Sequence, residues 1–356
     1  MINFLKKDVI MINKEQISIL DCTLRDGGFL LEDAMLNGIE HQVFNDKVSE
    51  KFINAMQDSS VDIIEIGSIE ITDSDKSAFA IYQNIEQISK LIPKNKPSRE
   101  MYTVMFRGPD TPVKSIPKWN PLYCEGVRVI IRYSEIKKSL DFCRTLAEKG
   151  YKVFVQPMVT MRYSDSEIQT LIDESNSMGA YALYLVDSYG YMEPSDTLKL
   201  FRRFDEGLSS EIRIGLHAHN NMHLAFNNVR AMVEQNSNRS IIIDSTIMGM
   251  GQGAGNMQTE LLVPYLNNNN GNYNYNSILD ACEIINSYCG DNLWGYSVTL
   301  VLSAVTKTAY KFADFFRRTH KLSFSNIYDM LLNIPEEYRH SFTKENAIKM
   351  LELSNK

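Results

Sequence analysis

The stretch Ile17-Ser18-Ile19-Leu20-Asp21-Cys22-Thr23-Leu24-Arg25-Asp26-Gly27-Gly28 is a short β-branched run that breaks into polar and glycine residues. It reads as a strand over Ile17–Asp21 followed by a Gly-Gly turn that holds an arginine beside a carboxylate. Seven further runs have the same character: Val61–Ile66, Met101–Phe106, Gly126–Arg132, Lys152–Val159, Tyr181–Asp187, Ile212–His217 and Ile241–Thr246. Their starts lie 44, 40, 25, 26, 29, 31 and 29 residues apart, which is room for a strand, a loop and a crossover helix each time. Runs such as Ile241-Ile242-Ile243 and Val129-Ile130-Ile131 are apolar on both faces, as buried parallel strands are. Eight repeats, with no Gly-x-Gly-x-x-Gly after the first strand, predict a closed (β/α)8 barrel of the α/β class rather than an open doubly wound sheet.

A chain of 356 residues accommodates such a barrel over 16–265 and a smaller appendage. The apolar and charged fractions, 44% and 23%, are those of a globular protein, and the net charge of −7 is spread along the chain. That distribution argues against a general nucleic-acid binder or a binder of anionic membranes. No apolar run is long enough to span a bilayer, and Met1–Glu15 lacks the apolar core of a signal peptide. Five cysteines (Cys22, Cys124, Cys143, Cys282 and Cys289) show no metal-type spacing and read as reduced thiols, so a cytoplasmic protein is expected.

Barrel active sites lie at the C-terminal ends of the strands, so the residues standing there matter most. They are Arg25 and Asp26, Glu65 and Ser68, Arg107, Arg132 and Tyr133, Gln156 and Thr160, Asp187 and Tyr189, His217 and His219, and Asp244 and Thr246. No lysine is among them, which excludes Schiff-base chemistry from the crown. His217 and His219, at i and i+2 on a strand, point to one face. With one distant carboxylate, Asp26, they form a two-histidine, one-carboxylate set suited to a divalent ion with open positions. Arg25 beside a cation calls for a substrate anion between them, such as a 2-oxo acid or its enolate. The plainer alternative is a salt bridge in the barrel mouth, to Glu65, which is otherwise a carboxylate supporting a ligand or a proton carrier. His223 falls four residues after His219 and reads as structural, on the next helix.

Between Gly27 and Phe44 no helical period is evident, and a loop of that length near the rim is either a lid or a surface insertion. The segment Gly249-Met250-Gly251-Gln252-Gly253-Ala254-Gly255-Asn256 fits a phosphate cradle and a tight turn without ligand equally well. The Asn-rich stretch Leu266–Asn276 reads as a linker. Beyond it, helical patterning over Ser277–Ser287, Ser297–Phe316 and Ile327–Leu332 defines a C-terminal helical segment, 277–356, whose apolar character is compatible with a homodimer.

The two stretches Asp21-Cys22-Thr23-Leu24-Arg25-Asp26-Gly27 and His217-Ala218-His219-Asn220-Asn221 closely resemble the paired signatures of the metal-dependent aldolase and lyase superfamily. That superfamily includes 4-hydroxy-2-oxovalerate aldolase, 3-hydroxy-3-methylglutaryl-CoA lyase and isopropylmalate synthase. Gly253-Ala254-Gly255-Asn256 and Gly295-Tyr296-Ser297 look most like the 4-hydroxy-2-oxovalerate aldolase branch. The resemblance implies Asp26, His217 and His219 as ligands of Mn2+ or Mg2+, with Zn2+ or Co2+ as alternatives. It adds Asn256 as a weaker ligand, Arg25 as the group facing a pyruvate enolate, and Tyr296 as a tail tyrosine reaching the site. One departure stands out. The resembled aldolases carry a histidine base two residues beyond Gly27, and this chain has Phe29 there. His41, Tyr189 and Glu65 are the substitutes in view.

The expectation is therefore a divalent-metal-dependent aldolase that cleaves or forms a 4-hydroxy-2-oxo acid. Arg25, Tyr296 and Glu65 would be catalytic, and Gln156, Asp187 and Tyr189, with Arg25, would contact substrate. The partners would be a small 2-oxo acid and an aldehyde. An acetyl-CoA-dependent Claisen-type synthase would instead bind CoA and release thiol. A barrel that binds metal without turnover would cleave nothing.

Overall fold

The structure, a computed structural model, describes residues 16–97, 100–235, 237–269, 271–288 and 293–354. The readings of Met1–Glu15 and of Cys289 fall outside these residues.

Eight parallel strands form the barrel: β1 (Ile17–Asp21), β2 (Ile63–Ile69), β3 (Met101–Phe106), β4 (Gly126–Ile131), β5 (Lys152–Pro157), β6 (Ala182–Asp187), β7 (Arg213–Ala218) and β8 (Ile241–Ser245). Each pairs with its sequence neighbour, and β1 pairs with both β8 and β2, which closes the sheet. A two-residue strand, Ile81–Tyr82, extends β2 outside the barrel. The expected closed barrel is what the chain forms. Side chains alternate as the pleat requires. Leu20, Ile63, Met101, Phe154, Tyr184 and Ile242 fill the lumen, while Ile19, Ile64, Val104, Val129, Val155 and Ile243 pack outward against the helices.

The segment after β1 departs from the lid reading. It is a helix, α1 (Thr23–Leu36), that begins directly at the strand end and carries Gly27 and Gly28 on its buried face. Two glycines hide the helical period, yet packing demands at least one of them. A Cβ at Gly28 would lie 1.9 Å from the Phe79 carbonyl oxygen, so α1 rests on that backbone turn. Gly28→Ala is expected to destabilise the protein by about 3 kcal/mol through overpacking, read as an earlier denaturation midpoint. An unchanged midpoint would remove this account of α1.

Other helices start where their caps dictate. Asn45 accepts from Val48 N (3.0 Å) to open Asp46–Asp58, and Ser164 with Glu167 forms a capping box for Asp165–Met178. The Asn-rich linker is tied down: the Tyr273 hydroxyl donates to Asp62 Oδ2 at 2.8 Å, at the foot of the barrel. The helix after it, Tyr275–Asn286, packs Ile278, Ala281 and Ile285 into the barrel's outer core. Helices Val298–Val305, Tyr310–Arg318, Phe324–Leu332, Glu336–Arg339 and Lys344–Ser354 then build a second core around Phe312, Phe316, Ile327 and Leu331. That core includes Val159, Tyr189 and Tyr191, from the loops that follow β5 and β6, so the tail sits at the functional end of the barrel. Lys311 Nζ, 2.7 Å from Asp33 Oδ1, fastens it to α1. Among the described residues no helix is long and apolar enough to cross a membrane.

Candidate active site

Strands β1, β2, β4, β7 and β8 bring one buried cluster of charge together in the lumen. Arg25 and Asp26 occupy the first turn of α1, where the strand-to-helix junction turns both side chains into the lumen. Arg25 Nε donates to Glu65 Oε2 at 2.8 Å, and its Nη1 pairs with Asp26 Oδ1. The ion pair to Glu65, the plainer alternative in the sequence, therefore exists, and it coexists with a contact to the Asp26 carboxylate. Asp26 Oδ2 accepts from Asn256 Nδ2 at 2.6 Å and lies 3.6 Å from His217 Nε2. His217 Nδ1 is 2.9 Å from Asp244 Oδ2; a carboxylate accepts, so Nδ1 carries the proton and the Nε2 lone pair faces Asp26. The His219 ring stands edge-on to His217 with centroids 5.1 Å apart.

Electrostatics leave these groups in forms that could bind a cation. Burial pushes His217 well below the ordinary histidine value, and burial likewise lowers His219, with Asp26 pulling the other way in both. Both imidazoles are thus neutral lone-pair donors at neutral pH. Burial works to raise the Asp26 carboxyl, but Arg25, His217, His219 and the Asn256 amide together hold it below the ordinary carboxylate value. Burial raises Glu65 and Asp244 in spite of the guanidiniums beside them.

The residues fit a divalent ion. Asn256 Oδ1 is buried and has no hydrogen-bond partner among the described residues, and it belongs to the amide that touches Asp26. Oxygen and imidazole donors side by side suit a hard-to-borderline cation, with ligand bonds of about 2–2.2 Å. Among the described residues, the group of three donor side chains whose ligand atoms all lie within 4.8 Å of one another is Cys22, Asp26 and His217; His219 is not in it. Cys22 has its thiol on the Ser245 carbonyl oxygen at 3.5 Å, and burial pushes its pKa well up, so it is a neutral thiol and a poor ligand. The glycine-rich loop serves this cluster. A Cβ at Gly251 would fall 2.2 Å from Asn256 Nδ2 and 3.5 Å from Asp26 Oδ2, so bare backbone lets the amide reach the carboxylate.

Other sequence candidates take separate places. Gln156 is buried in the lumen end of β5, opposite Ile130 of β4, and its Nε2 has no partner among the described residues. Asp187 spends both oxygens on its own loop, accepting from Tyr191 N (3.0 Å) and Met192 N (3.1 Å), and burial pushes its pKa up to about 7. The Tyr189 hydroxyl donates to the His340 carbonyl oxygen at 3.0 Å, holding the tail. Tyr296 is 64% exposed and stacks on His223 with centroids 5.3 Å apart, at the rim of a cavity of about 460 Å³ between α1 and the tail. His223 itself sits in a left-handed turn (φ 58°) before the helix Ala225–Val233, not on it. His41 places its ring nitrogens 2.7 and 2.8 Å from the Gln42 and Leu31 carbonyl oxygens.

Phe29, in the position where a base was looked for, is packed under two guanidiniums: Arg107 at 4.0 Å and Arg25 at 5.6 Å from its ring centre. It lines a mouth cavity of about 390 Å³ together with Arg107, Arg132, Met158, Gln252 and Lys311. Lys311, which reaches the mouth from the tail, is ion-paired and 40% exposed, unlike a desolvated Schiff-base amine. Sequence reasoning missed Arg128. It lies mid-strand in β4 and is fully buried, with Nη1 on Glu65 Oε2 (2.6 Å) and Nη2 on Asp244 Oδ2. Its only signal was a lone charge in an apolar strand.

The (β/α)8 barrel thus gathers a carboxylate, two neutral histidines and a guanidinium at the end of its strands where barrels place enzyme active sites. The chain belongs to the HMGL-like family, whose pattern matches residues 16–286. A 4-hydroxy-2-oxovalerate aldolase of Geobacillus genomosp. 3 is 27% identical over 255 residues, covering 71% of each chain. Among solved structures, the N-terminal domain of a candidate aldolase from Bacteroides vulgatus superposes with a TM-score of 0.70 at 22% identity, covering 88% of this chain and 99% of that one. Hydroxymethylglutaryl-CoA lyase from Pseudomonas aeruginosa gives a TM-score of 0.59 at 17% identity over 77% of this chain and 93% of its own.

Proposed function

We propose that this chain is a divalent-metal-dependent aldolase that cleaves or forms a 4-hydroxy-2-oxo acid, with pyruvate as the three-carbon product or donor. The observation that carries the reading is Asp26 shared between the His217 side and Arg25, which sets an anion-binding guanidinium at the edge of a cation site. The aldolase names of the relatives support it. Mn2+ or Mg2+ held by Asp26, His217, His219 and the Asn256 oxygen would supply positive charge at the 2-oxo and carboxylate oxygens of the substrate.

In cleavage the 4-hydroxyl loses its proton, the C3–C4 bond breaks, the aldehyde leaves, and the electron pair stays as the pyruvate enolate. Arg25, fixed by Glu65, stabilises the negative charge that develops there. The buried Gln156 amide nitrogen, without a partner among the described residues, would orient a substrate oxygen. Each of the named substitutes already has a partner. Glu65 is clamped by two arginines, the Tyr189 hydroxyl donates to a carbonyl, and His41 is tied to backbone. In this reading solvent in the mouth takes up the hydroxyl proton and returns one to the enolate carbon, which gives pyruvate.

The test is pyruvate release by Mn2+- or Mg2+-reconstituted protein from a panel of 4-hydroxy-2-oxo acids, from short aliphatic to sugar-derived. Pyruvate should appear with metal and vanish with chelator. Metal-loaded protein that releases none from any member would overturn the reading and direct the next assay to acetyl-CoA condensation.

A further inference from the structure

Arg128 touches neither of the groups expected to meet substrate or metal, yet it is connected to both. The oxygen that receives its Nη1, Glu65 Oε2, is the same atom that receives Arg25 Nε. The oxygen that receives its Nη2, Asp244 Oδ2, is the same atom that holds His217 Nδ1. The second oxygens, Glu65 Oε1 and Asp244 Oδ1, are buried with no partner among the described residues. Each carboxylate is therefore aimed mainly through one oxygen that two donors share, with the Tyr184 hydroxyl also close to Asp244. With the Arg25–Asp26 pair and the 3.6 Å approach of Asp26 to His217, the contacts close into a ring across the lumen.

We infer that Arg128 is a positioning residue whose single planar guanidinium sets, through Glu65 and Asp244, both the direction of Arg25 and the tautomer and lone-pair direction of His217. The Arg25 arm rests on the aldolase reading; the His217 arm does not. Glu65 lies on β2 and Asp244 on β8, on the two sides of β1, so the cation must send donors in two directions from β4 across the lumen. Arginine's fork does this with fixed geometry, whereas lysine offers one compact ammonium on a flexible four-carbon stem. The guanidinium also has the Tyr184 ring at 5.2 Å, which fixes its plane. A purely stabilising role is a poor explanation of such a group. Buried ion networks seldom stabilise more than the apolar side chains that fill the rest of this lumen.

The test compares wild type, Arg128→Lys and Arg128→Met, with the exposed Arg230→Lys as control. In metal-free protein with isotope-labelled histidine, the Nδ1–H of His217 should give a protected, downfield proton signal, assigned by its absence in His217→Gln. Arg128→Lys should fold, lose or shift that signal, and bind Mn2+ about 10–100-fold more weakly, the range for removing an outer partner of a ligand. Arg128→Met should do the same more severely; if it fails to fold, the lysine variant decides alone. An unchanged His217 signal with Mn2+ affinity within about twofold of wild type in Arg128→Lys would overturn the inference. Neither readout requires turnover, so a failure of the aldolase assay leaves this result interpretable. Where pyruvate release is measured, kcat should fall by at least about tenfold in Arg128→Lys and not at all in Arg230→Lys.

Discussion

Arg25→Met is expected to lower kcat for pyruvate release by about 10²–10³-fold, the cost of removing one donor from a developing oxyanion, or roughly 3–4 kcal/mol. Metal affinity should not fall with it. The guanidinium pairs with Asp26 Oδ1 and so competes with a cation for that carboxylate, and its charge repels the cation outright. Removing it should leave Mn2+ binding equal or tighter while chemistry collapses. The fold has support for the change, because Glu65 keeps Arg128 and Asp26 keeps Asn256. Methionine also fills much of the stem volume in a site where Arg25 is 4% exposed. Steady-state kinetics paired with Mn2+ titration decides the matter. A kcat retained within a few-fold would remove Arg25 from the enolate step, and a parallel loss of Mn2+ would make it a support for the ligand set instead.

That prediction joins residues which the sequence displayed unevenly. The eight strands were readable because lumen and helix faces are both dry, so β-branched runs stand out from their amphipathic surroundings. β1 and β3 coincide with the expected ranges, and each of the other six has at least one end within two residues of the expected place. The histidines were readable because i, i+2 on a strand is a geometric statement. Helix α1 was not, since Gly27 and Gly28 each cost helix propensity of about 1 kcal/mol, and only the Phe79 backbone beneath Gly28 shows why one is there. Arg128 was hidden for a different reason. Its partners are 63 and 116 residues away, and alternation in a strand with apolar residues on both faces does not tell lumen from exterior. Asp244 was visible as a polar residue at a strand end, but its hold on His217 needed the parallel pairing and register of β7 and β8, which the sequence does not display.

His217→Ala should abolish tight Mn2+ binding and with it all pyruvate release, whereas Asp244→Asn should only weaken Mn2+ by about 10–100-fold. The contrast follows from what each atom does. His217 Nε2 is a neutral lone pair 3.6 Å from the Asp26 carboxylate, and burial keeps it unprotonated, so its loss removes a donor that nothing nearby replaces. Cys22 lies close enough to stand in by distance, but burial holds its thiol protonated. Asp244 never approaches the ion's place; it polarises and orients the ring through Nδ1. Asparagine can still accept that proton through its carbonyl oxygen, though without the charge, and its amide would face the Arg128 guanidinium poorly. Excess Mn2+ should therefore restore activity to Asp244→Asn and never to His217→Ala. Equal rescue of both by added metal would take His217 out of the ligand set, and rescue of neither would mean that Asp244 does more than aim the ring.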